Sequence, residues 1–108
     1  MKIKSFLLIL FFSTISKFHI SYADEAKMKK GLEIFNETAG CAACHVLKAA
    51  GSVGNIGPNL DTVSMTIESV TDMVTNGLGV MPAFGEGEIL TKEEIDIVSY
   101  YVVNAAGK

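Results

Sequence analysis

Five consecutive residues, Cys41-Ala42-Ala43-Cys44-His45, constrain this chain more than any other feature. Cysteines three positions apart fall on one side of a helical turn, and an imidazole follows directly. Each thiol can then add to one vinyl group of a porphyrin, while the histidine lies beneath the ring as an iron ligand. This is the spacing of c-type haem attachment. A chain anchored in this way has to fold around a flat apolar plate.

The first residues read as a targeting segment. Met1-Lys2-Ile3-Lys4 is basic, the stretch from Phe6 to Ile15 is mostly apolar, and Ser21-Tyr22-Ala23 puts small side chains at both recognition positions of a cleavage site. The apolar run is well short of the roughly 20 residues needed to span a bilayer. A secretory signal peptide over residues 1–23 is therefore expected rather than a retained anchor, with a mature domain over 24–108 and no membrane span within it. The full chain holds 9 Lys plus Arg against 12 Asp plus Glu. Loss of Lys2, Lys4 and Lys17 leaves six basic residues and a net charge of −6. No basic patch remains to neutralise phosphates, so no nucleic-acid partner is expected, and the acidic surface suits either solubility or a positively charged docking partner.

Loss of the leader also removes His19, which leaves His45 as the only histidine. A four-ligand zinc site has no second ligand pair outside the motif. A disulfide between Cys41 and Cys44 stays open for an exported chain.

The rest of the sequence predicts an all-α domain of three to four short helices. From Glu25 to about Thr38, Met28, Gly31, Leu32 and Phe35 recur at helical spacing on one face. Residues 51–59 carry three glycines and Pro58 and read as a loop. A second helix is expected over Ile67–Asn76, with Thr66 as N-cap, Gly77 as stop, and Ile67, Val70 and Met73 or Val74 facing inward. Thr91-Lys92-Glu93-Glu94 has the pattern of a capping box, with Leu90 and Ile95 placed as a hydrophobic staple. It opens a last helix whose Ile95, Val98 and Val102, flanked by Ile97 and Tyr101, form an apolar face. No stretch alternates with period two. A mature domain of this size is marginal on protein burial alone, so a bound haem would be structural as well as functional.

A haem iron held by His45 has a sixth position, and no second imidazole is left to fill it. A methionine thioether is the strong remaining donor. Met28 and Met73 fall on apolar helix faces, where methionine usually fills the core, and Met65 precedes a cap. Met81 lies in Gly77-Leu78-Gly79-Val80-Met81-Pro82-Ala83-Phe84-Gly85, a loop suited to presenting one side chain. Met81 is favoured, with core filling as its alternative.

Taken in order, these elements resemble the class I cytochromes c of the small bacterial monohaem type, which are similar to the algal and cyanobacterial soluble carriers. The matching residues span nearly all of 24–108: Gly31 and Phe35, the Cys41 to His45 motif, Gly57-Pro58-Asn59-Leu60, Met81-Pro82-Ala83-Phe84, and an acidic-capped last helix with Ile97 and Tyr100. The resemblance implies one covalent haem c on Cys41 and Cys44, with proximal ligation by His45 and distal ligation by Met81. It also implies that the Pro58 carbonyl accepts from the His45 ring, and that Phe35 and Tyr100 pack where Gly31 lets the first and last helices cross. Leu78 stands where the algal carriers usually have a polar or basic residue, which favours a respiratory over a photosynthetic role.

The expected function is that of a monomeric periplasmic electron carrier, not an enzyme. It would dock transiently between redox proteins such as a quinol-oxidising complex and a terminal oxidase. Two alternatives stay open: a haem enzyme subunit or ligand sensor with an open sixth position, and, more remotely, a thiol-disulfide oxidoreductase built on Cys41 and Cys44.

Overall fold

Thr66 and Thr91 set where the two later helices begin. The computed structural model describes residues 18–108. In it α2 (Ile67–Asn76) opens with a reciprocal cap: Thr66 Oγ1 accepts from the Ser69 N–H at 3.1 Å, and Ser69 Oγ accepts from the Thr66 N–H at 3.0 Å. The helix stops at Gly77, whose N–H donates to Met73 O at 2.8 Å. α3 (Lys92–Ala105) opens in the same way, with Thr91 and Glu94 exchanging two bonds of 3.1 Å. Leu90 and Ile95 are buried on either side of that cap and staple the incoming chain to the helix.

The first helix departs from its expected start. α1 (Phe18–Glu33) is already helical at Phe18 and runs unbroken through Ala23, the expected cleavage position. No glycine or proline interrupts it before Gly31. The remainder of the expected leader, residues 1–17, lies outside the described residues. At its other end α1 widens into one π-helical turn over Ile34–Thr38, closed by Ala39 N–H to Ile34 O at 2.9 Å. That turn swings Ile34 and Phe35 wholly into the core.

The all-α reading holds, with one correction. Val46–Leu47 (β1) and Ser52–Val53 (β2) pair antiparallel, with Val46 opposite Val53 and Leu47 opposite Ser52. Strands of two residues are too short to leave any period-two signature. Ser52, expected in a loop, is buried because its hydroxyl accepts from the Leu47 N–H at 2.9 Å.

The core forms where α1 crosses α3. A Cβ built on Gly31 would overlap the Cβ of Tyr101 and sit 3.2 Å from Ile97 O, so only glycine permits this approach. Phe35 packs on Tyr101 with ring centroids 6.0 Å apart and planes tilted by 58°. The aromatic partner at the crossing is therefore Tyr101, not Tyr100. α3 buries Ile95, Val98, Tyr101, Val102 and Ala105, a stripe at helical spacing that passes beside Tyr100. The Tyr100 ring instead takes the Lys27 ammonium at 4.2 Å. On α2 only Val70 and Val74 are buried, while Ile67 and Met73, the flanks of the same apolar arc, are 40% and 38% exposed. No helix among the described residues is long and apolar enough to cross a membrane.

One carboxylate ties the chain end to the middle. Asp61 Oδ1 accepts from the Gly107 N–H and Oδ2 from the Lys48 N–H, each at 2.9 Å. Those two backbone donors, with a smaller contribution from the Lys48 charge, hold the Asp61 carboxyl below its ordinary pKa.

Gly31→Ala is expected to destabilise the protein by about 1–2 kcal/mol in denaturant unfolding, because overpacking costs about 1–3 kcal/mol and outweighs a helix-propensity gain of at most about 1 kcal/mol. A neutral or stabilising result contradicts the close crossing. Because the folded-state pKa of Asp61 is lowered, its contribution is complete above the unfolded value of about 3.9 and is lost as pH falls through the lower folded value. Urea midpoints should therefore fall less steeply below about pH 4 in Asp61→Asn than in the wild type, and parallel acid limbs would count against the tie.

Candidate haem-attachment site

The attachment motif sits on a tight 3₁₀ turn rather than on a longer helix. Gly40 enters it with a positive φ of 68°, Cys41–Ala43 form the turn, and both Cys44 N–H (3.1 Å) and His45 N–H (3.0 Å) donate to Cys41 O. The turn holds the two thiols and the imidazole together. Cys41 and Cys44 are half-buried, unbridged thiols. Burial pushes the Cys41 thiol up to about 11; its own backbone hydrogen bond opposes this, and neighbouring Cys44 adds a smaller rise. A cysteine that attacks disulfides needs the opposite shift.

The ring of His45 is fixed on two sides. Its Nδ1 lies 2.8 Å from Pro58 O. A carbonyl oxygen can only accept, so Nδ1 carries the proton and Nε2 presents a free lone pair. The face of the ring lies against Gly57, where a Cβ would come within 2.5 Å of Cε1 and 2.8 Å of Nδ1. From local pattern Gly57 reads as a loop breaker, and the resemblance marks it without a role, since its contact with His45 spans twelve residues of chain.

Met81 comes from a separate loop, held to α2 at its far end. Leu78 and Met81 exchange backbone hydrogen bonds of 3.2 and 3.0 Å around Gly79 and Val80. Phe84 N–H then donates to Val74 O at 2.9 Å, and the Phe84 ring is buried in the core. Met81 is thereby half-buried, and it packs against the same core cluster as Cys41. Met28 and Met65 are half-buried on that cluster too, while Met73 is exposed. The structure brings Cys41, Cys44, His45 and Pro58 into one local unit and sets Met81 on a second one.

This donor set fits a covalent haem. Two thiols lie on one turn beside an imidazole whose outer nitrogen is occupied and whose inner nitrogen is free, and a side-chain-free position guards the ring face.

Known proteins match the chain over most of its length. The model of the family described as "Cytochrome C oxidase, cbb3-type, subunit III" matches residues 26–102. Cytochrome c6 of Gloeothece citriformis is 37% identical over 108 aligned residues, covering 94% of this chain and 88% of that protein. Cytochrome c6 of Pyropia yezoensis is 35% identical and covers 94% of each. The crystal structure of the c-type cytochrome SorU from Sinorhizobium meliloti superposes with a TM-score of 0.72 at 50% identity, covering 78% of this chain and 95% of that one. The chain belongs to the cytochrome c family as a small class I member, an electron carrier rather than an enzyme, with one covalently bound haem c.

Proposed function

We propose that Cys41 and Cys44 would hold the haem by thioether bonds, that His45 Nε2 and the Met81 sulfur would be the protein ligands of its iron, and that the chain is a periplasmic one-electron carrier between respiratory complexes. The observation that carries this reading is the bond of 2.8 Å between His45 Nδ1 and Pro58 O, which leaves Nε2 as a fixed donor. Bound haem supplies a one-electron couple between ferric and ferrous iron. Pro58 O makes His45 a more basic ligand and sets its ring plane. The Met81 thioether favours the reduced state and raises the potential. With both positions filled by protein, the site is closed to small ligands, and no substrate pocket is required.

Exposed apolar side chains flank both parts of the site. Val53 (86% exposed) and Ile56 (67%) adjoin the His45 loop, while Leu78 (70%) and Val80 (87%) adjoin Met81. Together with an acidic mature chain, they suit a small, salt-sensitive contact with a positively charged partner such as a quinol-oxidising complex or a terminal oxidase. Residues 1–23 act as a cleaved signal peptide on this reading, which accounts for the periplasmic location.

Met81→Ala separates the closed carrier from a haem protein with an open sixth position. The ferric wild type should show the weak sulfur-to-iron charge-transfer band, and the variant should lose it. The reduction potential should also fall, by a sizeable part of the roughly 0.8 V that axial ligands command. A band that survives the substitution, or is absent from the wild type, overturns the assignment of Met81.

A further inference from the structure

Two chain segments run side by side next to the attachment motif, laced in parallel register. Gly57 N–H donates to Cys44 O at 2.8 Å, His45 Nδ1–H to Pro58 O at 2.8 Å, Leu60 N–H to Val46 O at 3.0 Å, and Lys48 N–H to Asp61 Oδ2 at 2.9 Å. The last rung is the only one that ends on a carboxylate. Its second oxygen leaves the ladder and takes the Gly107 N–H at 2.9 Å, just beyond α3. The backbone of Asp61 is fixed as well: its N–H donates to Asn59 Oδ1 at 2.9 Å, and the Thr62 hydroxyl donates to Asn59 O at 3.1 Å. Asn59 directly follows the proline whose carbonyl holds His45.

We infer that Asp61 is a positioning residue for the His45 ring. It acts through the loop 58–61, pinning the end of that loop to Lys48 on one side and to Gly107 on the other, so that Pro58 O stays at bonding distance from Nδ1. Charge-assisted bonds that a carboxylate accepts from backbone N–H groups are stronger than neutral ones, which suits this rung to carry the register of the others. Without it the loop's remaining ties to the segment beside it are those that end on backbone carbonyls, and Pro58 O gains freedom to drift from the ring. A weaker bond to Nδ1 makes the imidazole a poorer donor to oxidised iron, so the reduction potential rises.

The inference rests on the proposed ligation by His45, and the experiment reads the two separately. In reduced holoprotein, NMR follows the exchange of the His45 Nδ1 proton with solvent, and electrochemistry follows the potential, for wild type, Asp61→Asn, Asp61→Ala and Gly31→Ala. Asp61→Ala should exchange that proton at least about tenfold faster, the scale set by losing one hydrogen bond to a charged group, and shift the potential upward. Asp61→Asn, which keeps one acceptor oxygen, should fall between it and the wild type, and it supplies the test should the alanine variant not fold. Gly31→Ala loosens the fold at the helix crossing, away from the loop, and should leave both readouts at wild-type values. If both Asp61 variants lose stability yet match the wild type in exchange and potential, Asp61 is a structural tie only and the inference falls. If the wild-type His45 ring protons carry no haem ring-current shift, the ligation reading fails and takes the inference with it.

Discussion

One hydrogen bond, from His45 Nδ1–H to Pro58 O, decides the chemical character of this protein. It selects the tautomer of the imidazole, and so leaves Nε2 as a lone-pair donor in a fixed direction. An untethered ring on so short a turn would rotate freely and present either nitrogen. Much of the surrounding architecture serves this contact. Gly57 makes room for the ring face, the parallel rungs beside the motif hold the proline loop in register, and Asp61 fastens that loop to the chain end.

The protein's own core lies beside the site. The Gly31 crossing, the Phe35–Tyr101 pair and the buried Val70, Val74 and Phe84 join all three helices, while Ile67 and Met73 remain at the uncovered edges of their helical face. A covalent haem adds apolar surface to a chain whose length allows only a modest core. This explains why the anchor and the fold belong together. On the proposed attachment, the thiols would fix the plate beside this core.

How much of this was legible depended on range along the chain. The starts of α2 and α3 followed from Thr66, Thr91 and Glu94, because a cap is made by residues three apart. The Cys41 to His45 motif was readable for the same reason. The choice between Tyr100 and Tyr101 was not, since it turns on where α3 lies against Gly31, some 70 residues earlier by their numbering. The π-helical turn at Ile34–Thr38 has no known local marker, and the two-residue strands carry too few positions for a period. Asp61 carries no local signal, because its partners stand 13 and 46 residues away. Of the candidate site, the attachment residues are visible as a local pattern and the Pro58 contact to His45 through the family resemblance, whereas the parts played by Gly57 and Asp61 are products of tertiary contacts.

The chain's place among the class I cytochromes c makes it an electron carrier, and the proposed pairing of His45 with Met81 makes it a closed one. The most direct measurement of that pairing is the proton NMR spectrum of the reduced holoprotein with methionine methyl groups selectively labelled and assigned. An axial methionine places its methyl group over the porphyrin face, inside the shielding cone of the ring. The account predicts that the Met81 methyl resonance alone lies far upfield of those of Met28, Met65 and Met73. A shifted methyl belonging to another of these residues, or none shifted at all, would contradict it.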